Sequence, residues 1–267
     1  MPHPVEVTPE VLSGLPLPQH DDGDSKHDRG SVFVLGGSVE TPGAILLAGL
    51  AALRAGAGRL GIATASEVAP AVAVAVPEAR VLADDDWQGP ATSAAAVLYG
   101  CGVLDVDGVD PVLDELTSSV TDGLVVLDAG AFPAVSRHPD WVHRLEGRVL
   151  LVPNATELEV LGCASAVQAA DRFRAVVAVR DADTVIAAPD GRCYVDRHGT
   201  VGLATSGSGD VAAGIAVGLL GRGADPLTAA VWTAAVHGRA GERLGGPGFL
   251  ARELLPEIPK ALADLGA

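Results

Sequence analysis

Positive charge is scarce in this chain. Its 267 residues hold two lysines, Lys26 and Lys260, and 18 Lys and Arg in all against 34 Asp and Glu, a formal net charge of −16. So acidic a surface repels the nucleic-acid backbone and anionic membranes, and neither is expected as a partner. An anionic ligand must then be attracted locally, by backbone dipoles or by a few arginines. Long apolar runs are also missing: Gly, Pro or charged residues interrupt each one before it reaches bilayer length. No basic segment followed by an apolar core marks a secretory signal, and a cytoplasmic location is expected. Cysteine is nearly absent. Cys101, Cys163 and Cys193 lie far apart, are odd in number and lack metal-ligand spacing, which suits three small buried thiols in a reducing compartment. Aromatics make up 3% of the chain. Abundant glycine and alanine suit helices packed closely on a parallel sheet.

What is present concentrates at one place. Ala204-Thr205-Ser206-Gly207-Ser208-Gly209-Asp210 runs straight into the small, apolar stretch Val211–Leu220. Free N–H groups and the dipole at a helix start attract an anion, and glycine lets the backbone approach it. The amides of Gly207, Ser208 and Gly209 thus form a candidate anion hole. Asp210, at the junction, is placed to take a proton from a hydroxyl beside the bound anion, the arrangement that phosphoryl transfer requires.

The rest of the chain alternates strands and helices. Ser31–Leu35 reads as a strand entering Gly36-Gly37-Ser38; Thr41-Pro42 caps a helix to about Ala55, and Arg59–Thr64 is the next strand. Strands at Ala95–Tyr99, Leu124–Leu127, Arg148–Val152 and Ala175–Val179 end in Gly100-Cys101-Gly102, Asp128, Pro153–Glu157 and Arg180-Asp181. Thr184–Ala188 and Arg192–Val195 form a hairpin through Asp190-Gly191. Three helices close the chain at Asp210–Leu220, Pro226–Leu244 and Pro247–Leu265. Near-continuous apolar strands between helices predict a mostly parallel sheet covered on both faces. Ligands gather at the carboxyl ends of such strands, so these turns are expected to share one crevice. Residues 1–28 read as an N-terminal extension with a short helix near Pro9–Ser13, and 29–267 as one catalytic domain.

From Lys26 to Leu255 the order and spacing of these motifs resemble the ADP/ATP-dependent NAD(P)H-hydrate dehydratases, which have the ribokinase-like three-layer α/β/α fold. The matching elements are Lys26–Ser38, Pro42-Gly43-Ala44, Arg54–Gly58, Gly100–Gly102, Leu127–Ala129, Pro153–Glu157, Ala204–Gly214 and His237–Gly241. The resemblance implies repair of hydrated NADH or NADPH. ADP or ATP with Mg2+ phosphorylates the ring hydroxyl, and phosphate, a far better leaving group than hydroxide, then departs. Asp210 matches the family's base. Ala44 and Gly102 match positions beside the hydrated nicotinamide, with Asn154 and Asp210 also facing the substrate. Gly209, Arg180, Asp181 and Thr184 fall on the nucleotide side, and Glu157 matches an acidic residue near the metal, acting through water. His237 matches a position on a buried helix. A homo-oligomer, a tetramer in the family, is implied. Both nucleotides offer the same phosphate chemistry to a glycine-rich turn, so the pattern fits either.

Departures cluster on the nucleotide side. The family's Thr-Pro-His-x-Gly-Glu is here Val152-Pro153-Asn154-Ala155-Thr156-Glu157, and its Lys-Gly pair is Arg180-Asp181. Asp196-Arg197-His198-Gly199-Thr200 lacks the usual asparagine-bearing run. Two alternatives therefore stand beside the dehydratase: a nucleotide-binding paralogue with little turnover, and a small-molecule kinase of the same fold, such as one for a vitamin precursor.

Overall fold

The computed structural model describes residues 3–19, 23, 25, 30–83, 86–105 and 108–267. Lys26, with most of the polar connector at 20–28, lies outside them. The chain opens with β1 (Val5–Glu6), α1 (Pro9–Gly14), β2 (Ser31–Leu35), α2 (Pro42–Arg54), β3 (Arg59–Thr64), α3 (Ala69–Ala75) and β4 (Ala79–Ala83). It continues with α4 (Gln88–Thr92), β5 (Ala96–Tyr99), α5 (Val109–Ser119), β6 (Leu124–Leu127), α6 (Phe132–Arg137), α7 (Pro139–His143) and β7 (Val149–Leu151). Then come α8 (Ala155–Val160), α9 (Ala166–Phe173), β8 (Val176–Arg180), β9 (Thr184–Ala187), β10 (Cys193–Asp196), α10 (Ser208–Gly221), α11 (Pro226–Leu244), α12 (Ala251–Leu254) and α13 (Ile258–Asp264).

The strands form one sheet in the order β1-β10-β9-β8-β7-β6-β5-β2-β3-β4. All neighbours run parallel except β8–β9 and β9–β10. The expected mostly parallel sheet and the Asp190-Gly191 hairpin are both observed. The sheet is buried on both faces, and the strands show how. Val32 and Val34 of β2 join one core cluster with α2, α10 and α11. Their neighbours Phe33 and Leu35 join a second cluster with α5, α6 and α9. Side chains alternate across a strand, so an unbroken apolar run needs a helical layer on each side.

α10 is the central helix. Every residue from Val211 to Gly221 is buried, which explains a helix apolar all round. It lies tightly against α2. A Cβ at Gly214 would stand 2.3 Å from the carbonyl oxygen of Ala48, and one at Gly218 2.5 Å from that of Ala52. The two glycines are one helical turn apart, so the close approach runs along one face.

Two local expectations need correction, and one strand goes unread. The closing helix Pro247–Leu265 is instead α12, a tight turn at Leu255–Glu257 and α13. Pro256 and Pro259 lack the N–H that a continuous helix needs. Thr41 does not cap α2 through its side chain; its hydroxyl donates to the carbonyl oxygen of Gly102 at 2.8 Å. β4 carries no periodic signal because it is a partly exposed edge strand. The N-terminal segment docks on the same sheet: β1 pairs with β10, and Trp232 donates to the carbonyl of Leu15 at 2.6 Å.

Candidate active site

β5, β6, β7 and β8 are consecutive in the sheet, so the turns after them stand side by side. A cleft of about 860 Å³ opens there, lined by Asp128, Asn154, Glu157, Arg180, Asp181, Thr184, the 198–205 segment, Gly207, Ser208, Gly209 and Asp210. The strand ends at Asp128, Asn154–Glu157 and Arg180 share the crevice as expected, the Gly100-Cys101-Gly102 turn does not line it, and the start of α10 forms one wall of it.

At that wall Gly207 precedes the helix in a left-handed conformation, φ 87°. The Ser208 amide closes a turn on the carbonyl of Thr205 at 3.2 Å, and its hydroxyl lies 2.9 Å from Nε2 of His237. Ser208 is thereby committed to the protein. Among the described residues, the amides of Gly207, Gly209 and Asp210 donate to no carbonyl and are the open donors at the helix start. His237 is held neutral, its pKa lowered to about 4 by burial and then by the charge of Arg180.

Two acidic side chains, Asp128 and Glu157, meet a single guanidinium beside this turn. Arg180 Nε and Nη2 donate to the carbonyl of Val152 at 3.0 and 2.9 Å. Nη2 also reaches Asp128 Oδ1 at 3.2 Å and lies 3.9 Å from Glu157. The guanidinium covers Gly209, where a Cβ would stand 2.6 Å from Nη1. One donor atom each from Cys101, Asp128 and Asp210 lies within 4.8 Å of the others, and the Cys101 thiol donates to Asp128 Oδ2 at 3.4 Å. Burial raises the pKa of Asp128 to about 7; Arg180 opposes it, while Glu157 and Asp210 add repulsion. Asp210 is also raised, chiefly by burial, with Cys101 and Arg180 working against it. The Cys101 thiol is pushed well up by burial beside these two carboxyls, so it stays protonated as a donor.

Asn154 starts α8 through a reciprocal cap. Its Oδ1 accepts from the Glu157 amide at 2.9 Å, and Glu157 Oε2 accepts from the Asn154 amide at 2.8 Å. That is the physical use of asparagine here: it satisfies a helix start. Thr184 stands opposite Arg180 in the sheet register, and exposed Asp181 lines the cleft beside it. Ala44 and Gly102 pack on each other away from the cleft lining. Gly102 is left-handed, φ 67°, and a Cβ there would stand 2.8 Å from that of Ala44. Gly102 directly follows Cys101, whose thiol meets Asp128. The roles of two site residues escape sequence reasoning. Asp128 is visible only as a carboxylate closing an apolar strand. His198 could have been found from its position two residues after Asp196, which places both on one face of the strand end.

Comparison with known proteins identifies relatives of this architecture. A family model described as NAD(P)H-hydrate dehydratase matches residues 32–259. The chain is 41% identical to the ADP-dependent (S)-NAD(P)H-hydrate dehydratase of Xanthomonas campestris pv. campestris, over 97% of this chain and 96% of that one. A solved structure of the ADP/ATP-dependent NAD(P)H-hydrate dehydratase from Bacillus subtilis, co-crystallized with ATP and Mg2+, superposes with a TM-score of 0.80 at 28% identity, covering 98% of each chain. A ribokinase-like superfamily protein from Enterococcus faecalis superposes at 0.84 with 19% identity, covering 98% of this chain and 96% of that one, a likeness of fold alone.

Proposed function

The chain belongs to the NAD(P)H-hydrate dehydratase family, and from that premise we propose that it restores NADH or NADPH from the hydrated cofactor, driven by ADP or ATP. The reaction class is that of a carbon–oxygen lyase. The observation that carries the reading is the shared cleft: Asp210 and the open amides at the start of α10 face the same space as Arg180 and Thr184.

In this reading Asp210 accepts the proton of the ring hydroxyl as its oxygen attacks the terminal phosphorus of the nucleotide. The bond from that phosphorus to the bridging oxygen breaks, and the nucleotide leaves one phosphate shorter. The ring carbon–oxygen bond then breaks with loss of phosphate, and a proton leaves the adjacent ring carbon to restore the double bond. Burial makes Asp210 a stronger base than a surface aspartate. The amides of Gly209 and Asp210 stabilise the phosphoryl oxygens, as preorganised dipoles do where charge develops. Ala44 and Gly102, which the resemblance sets beside the nicotinamide ring, pack on each other outside the cleft lining, and Asn154 approaches the substrate from α8. Asp181 and Thr184 flank the nucleotide.

The residues fit a magnesium ion. Glu157 lines the cleft and uses Oε2 on the Asn154 amide, which leaves a second hard oxygen and suits a cation that holds most of its waters and binds one or two carboxylates plus phosphate. Bound there, Mg2+ would neutralise phosphate charge. The same reading expects a homotetramer in the cytoplasm. No helix among the described residues is long and apolar enough to cross a membrane.

The test is direct. Purified protein, hydrated NADH, Mg2+ and ADP or ATP are mixed, and recovery of the reduced-nicotinamide absorbance is followed. Recovery with release of phosphate is expected. No recovery with either nucleotide at high enzyme concentration overturns the proposal.

A further inference from the structure

One residue of the cleft lining, His198, belongs to an acid–base pair that the mechanism above does not use. β10 ends on Asp196, whose side chain is 1% exposed and whose Oδ1 lies 2.6 Å from Nδ1 of His198. The other oxygen, Oδ2, is buried with no hydrogen-bond partner. His198 itself lines the cleft together with Gly207, Ser208 and Gly209.

Packing fixes the ring's position. His198 rests on α11 at Gly238, where a Cβ would stand 2.4 Å from the His198 carbonyl oxygen and 2.7 Å from its Cβ. The residue before Gly238 is His237, which pairs with Ser208 at the start of α10. Two contacts therefore connect His198 to the helix whose amides are the open anion donors. Since Nδ1 is engaged by Asp196, Nε2 is the nitrogen left for a ligand. Among the described residues it makes no hydrogen bond.

Charge points the same way. The cleft lining holds four carboxyl groups, Asp128, Glu157, Asp181 and Asp210. Its guanidinium, Arg180, is engaged by Asp128 and the carbonyl of Val152. His237 is neutral, as shown above. A nucleotide carrying several negative charges would meet an acidic wall unless another cation faced it. His198 is made more basic by the Asp196 hydrogen bond, and Glu242 adds to this while burial and Arg239 oppose it. Buried carboxylates orient and charge a histidine in this way.

We propose that His198, oriented by Asp196, is a phosphate-binding residue of the cleft and donates Nε2–H to a phosphate oxygen of the adenine nucleotide. This rests on the reading of the cleft as a nucleotide site. The pyrophosphate of the dinucleotide substrate has the same chemistry, and the experiment separates the two sources.

Binding of ADP, adenosine and NADP+ is measured by titration calorimetry on the wild type and on His198→Ala, His198→Arg and Asp196→Asn. Losing a charge-assisted hydrogen bond should weaken ADP about tenfold in His198→Ala, leaving adenosine and NADP+ unchanged. His198→Arg restores the charge and should recover most of that loss, which a purely structural role would not allow. Asp196→Asn should fall between wild type and His198→Ala. Equal ADP affinity in wild type and His198→Ala overturns the inference while the nucleotide site stands. Weakening confined to NADP+ overturns the assignment to the nucleotide. Absence of ADP binding in the wild type removes the underlying reading, and the inference with it.

Discussion

The two walls of the cleft are built differently. The wall at the start of α10 is made of backbone and small residues: glycine turns, open amides, and α10 pressed against the carbonyls of α2. The wall formed by β8, the β9–β10 hairpin and the segment after it is made of side chains: Arg180 on Asp128, His198 on Asp196, Thr184 opposite Arg180 in register. Backbone geometry tolerates almost no change, because a single Cβ collides with main chain. Side-chain networks can be rewritten one partner at a time. The departures at Arg180-Asp181 and Asp196–Thr200 lie on the second wall, that at Asn154 lies at the start of α8, and the Gly-Ser-Gly-Asp turn is intact.

The comparison breaks first at Asp210. Asn keeps the shape of the carboxyl but cannot accept the proton, so Asp210→Asn should lose about a thousandfold or more in kcat with ADP binding retained. Stopped assays and calorimetry on the same preparation check this; a rate near wild type would reduce Asp210 to a helix-end residue. Next is the rigidity of the α10 wall. Gly214→Val drives side-chain carbons into the Ala48 carbonyl and should cost about 3 kcal/mol of stability, read from denaturant unfolding. A stability within error of wild type would mean that α2 and α10 can separate freely.

The same division decides what could be read from sequence. The α10 wall was legible because its signals are local: glycines, a proline after Thr41, an aspartate before an apolar helix. The strands were legible where both faces are buried, and illegible at β4, an edge that needs no apolar run. The side-chain wall was mostly hidden. Arg180 and Asp128 are 52 residues apart in sequence, and nothing in either neighbourhood announces the pairing. Asn154 could be seen, but its use as a cap for α8 depends on Glu157 reaching back to its amide. The Ser208 hydroxyl, whose residue was expected to face the anion, turns instead to a histidine on α11.

Arg180 tests whether the side-chain wall binds ligand or mainly binds itself. Its hydrogen bonds go to Val152 and Asp128, so Arg180→Ala should weaken ADP only about fivefold, less than a fully committed phosphate cation, and hydrated substrate less still. The melting temperature should also fall, because Asp128 is left buried without its cation. A loss of ADP affinity a hundredfold or greater would show that the guanidinium leaves Asp128 to grip phosphate.

The smallest expected effect is the most diagnostic of how the walls communicate. Asp128 and Asp210 are close, both raised by burial, and Asp128 is raised further by repulsion from Asp210. Two such carboxyls lose protons as a pair. While the pair holds one proton, Asp210 is ionised only part of the time, and it becomes a full-time base after the second proton leaves. The acid limb of kcat/KM should therefore extend toward pH 7, the value to which Asp128 is raised. Asp128→Asn removes the competing site and the repulsion while keeping an oxygen for Arg180. The limb should then move to lower pH by roughly one unit, with the plateau rate changed far less than in Asp210→Asn. An unmoved limb would mean that Asp210 titrates alone, and that the side-chain wall positions ligands without tuning the base.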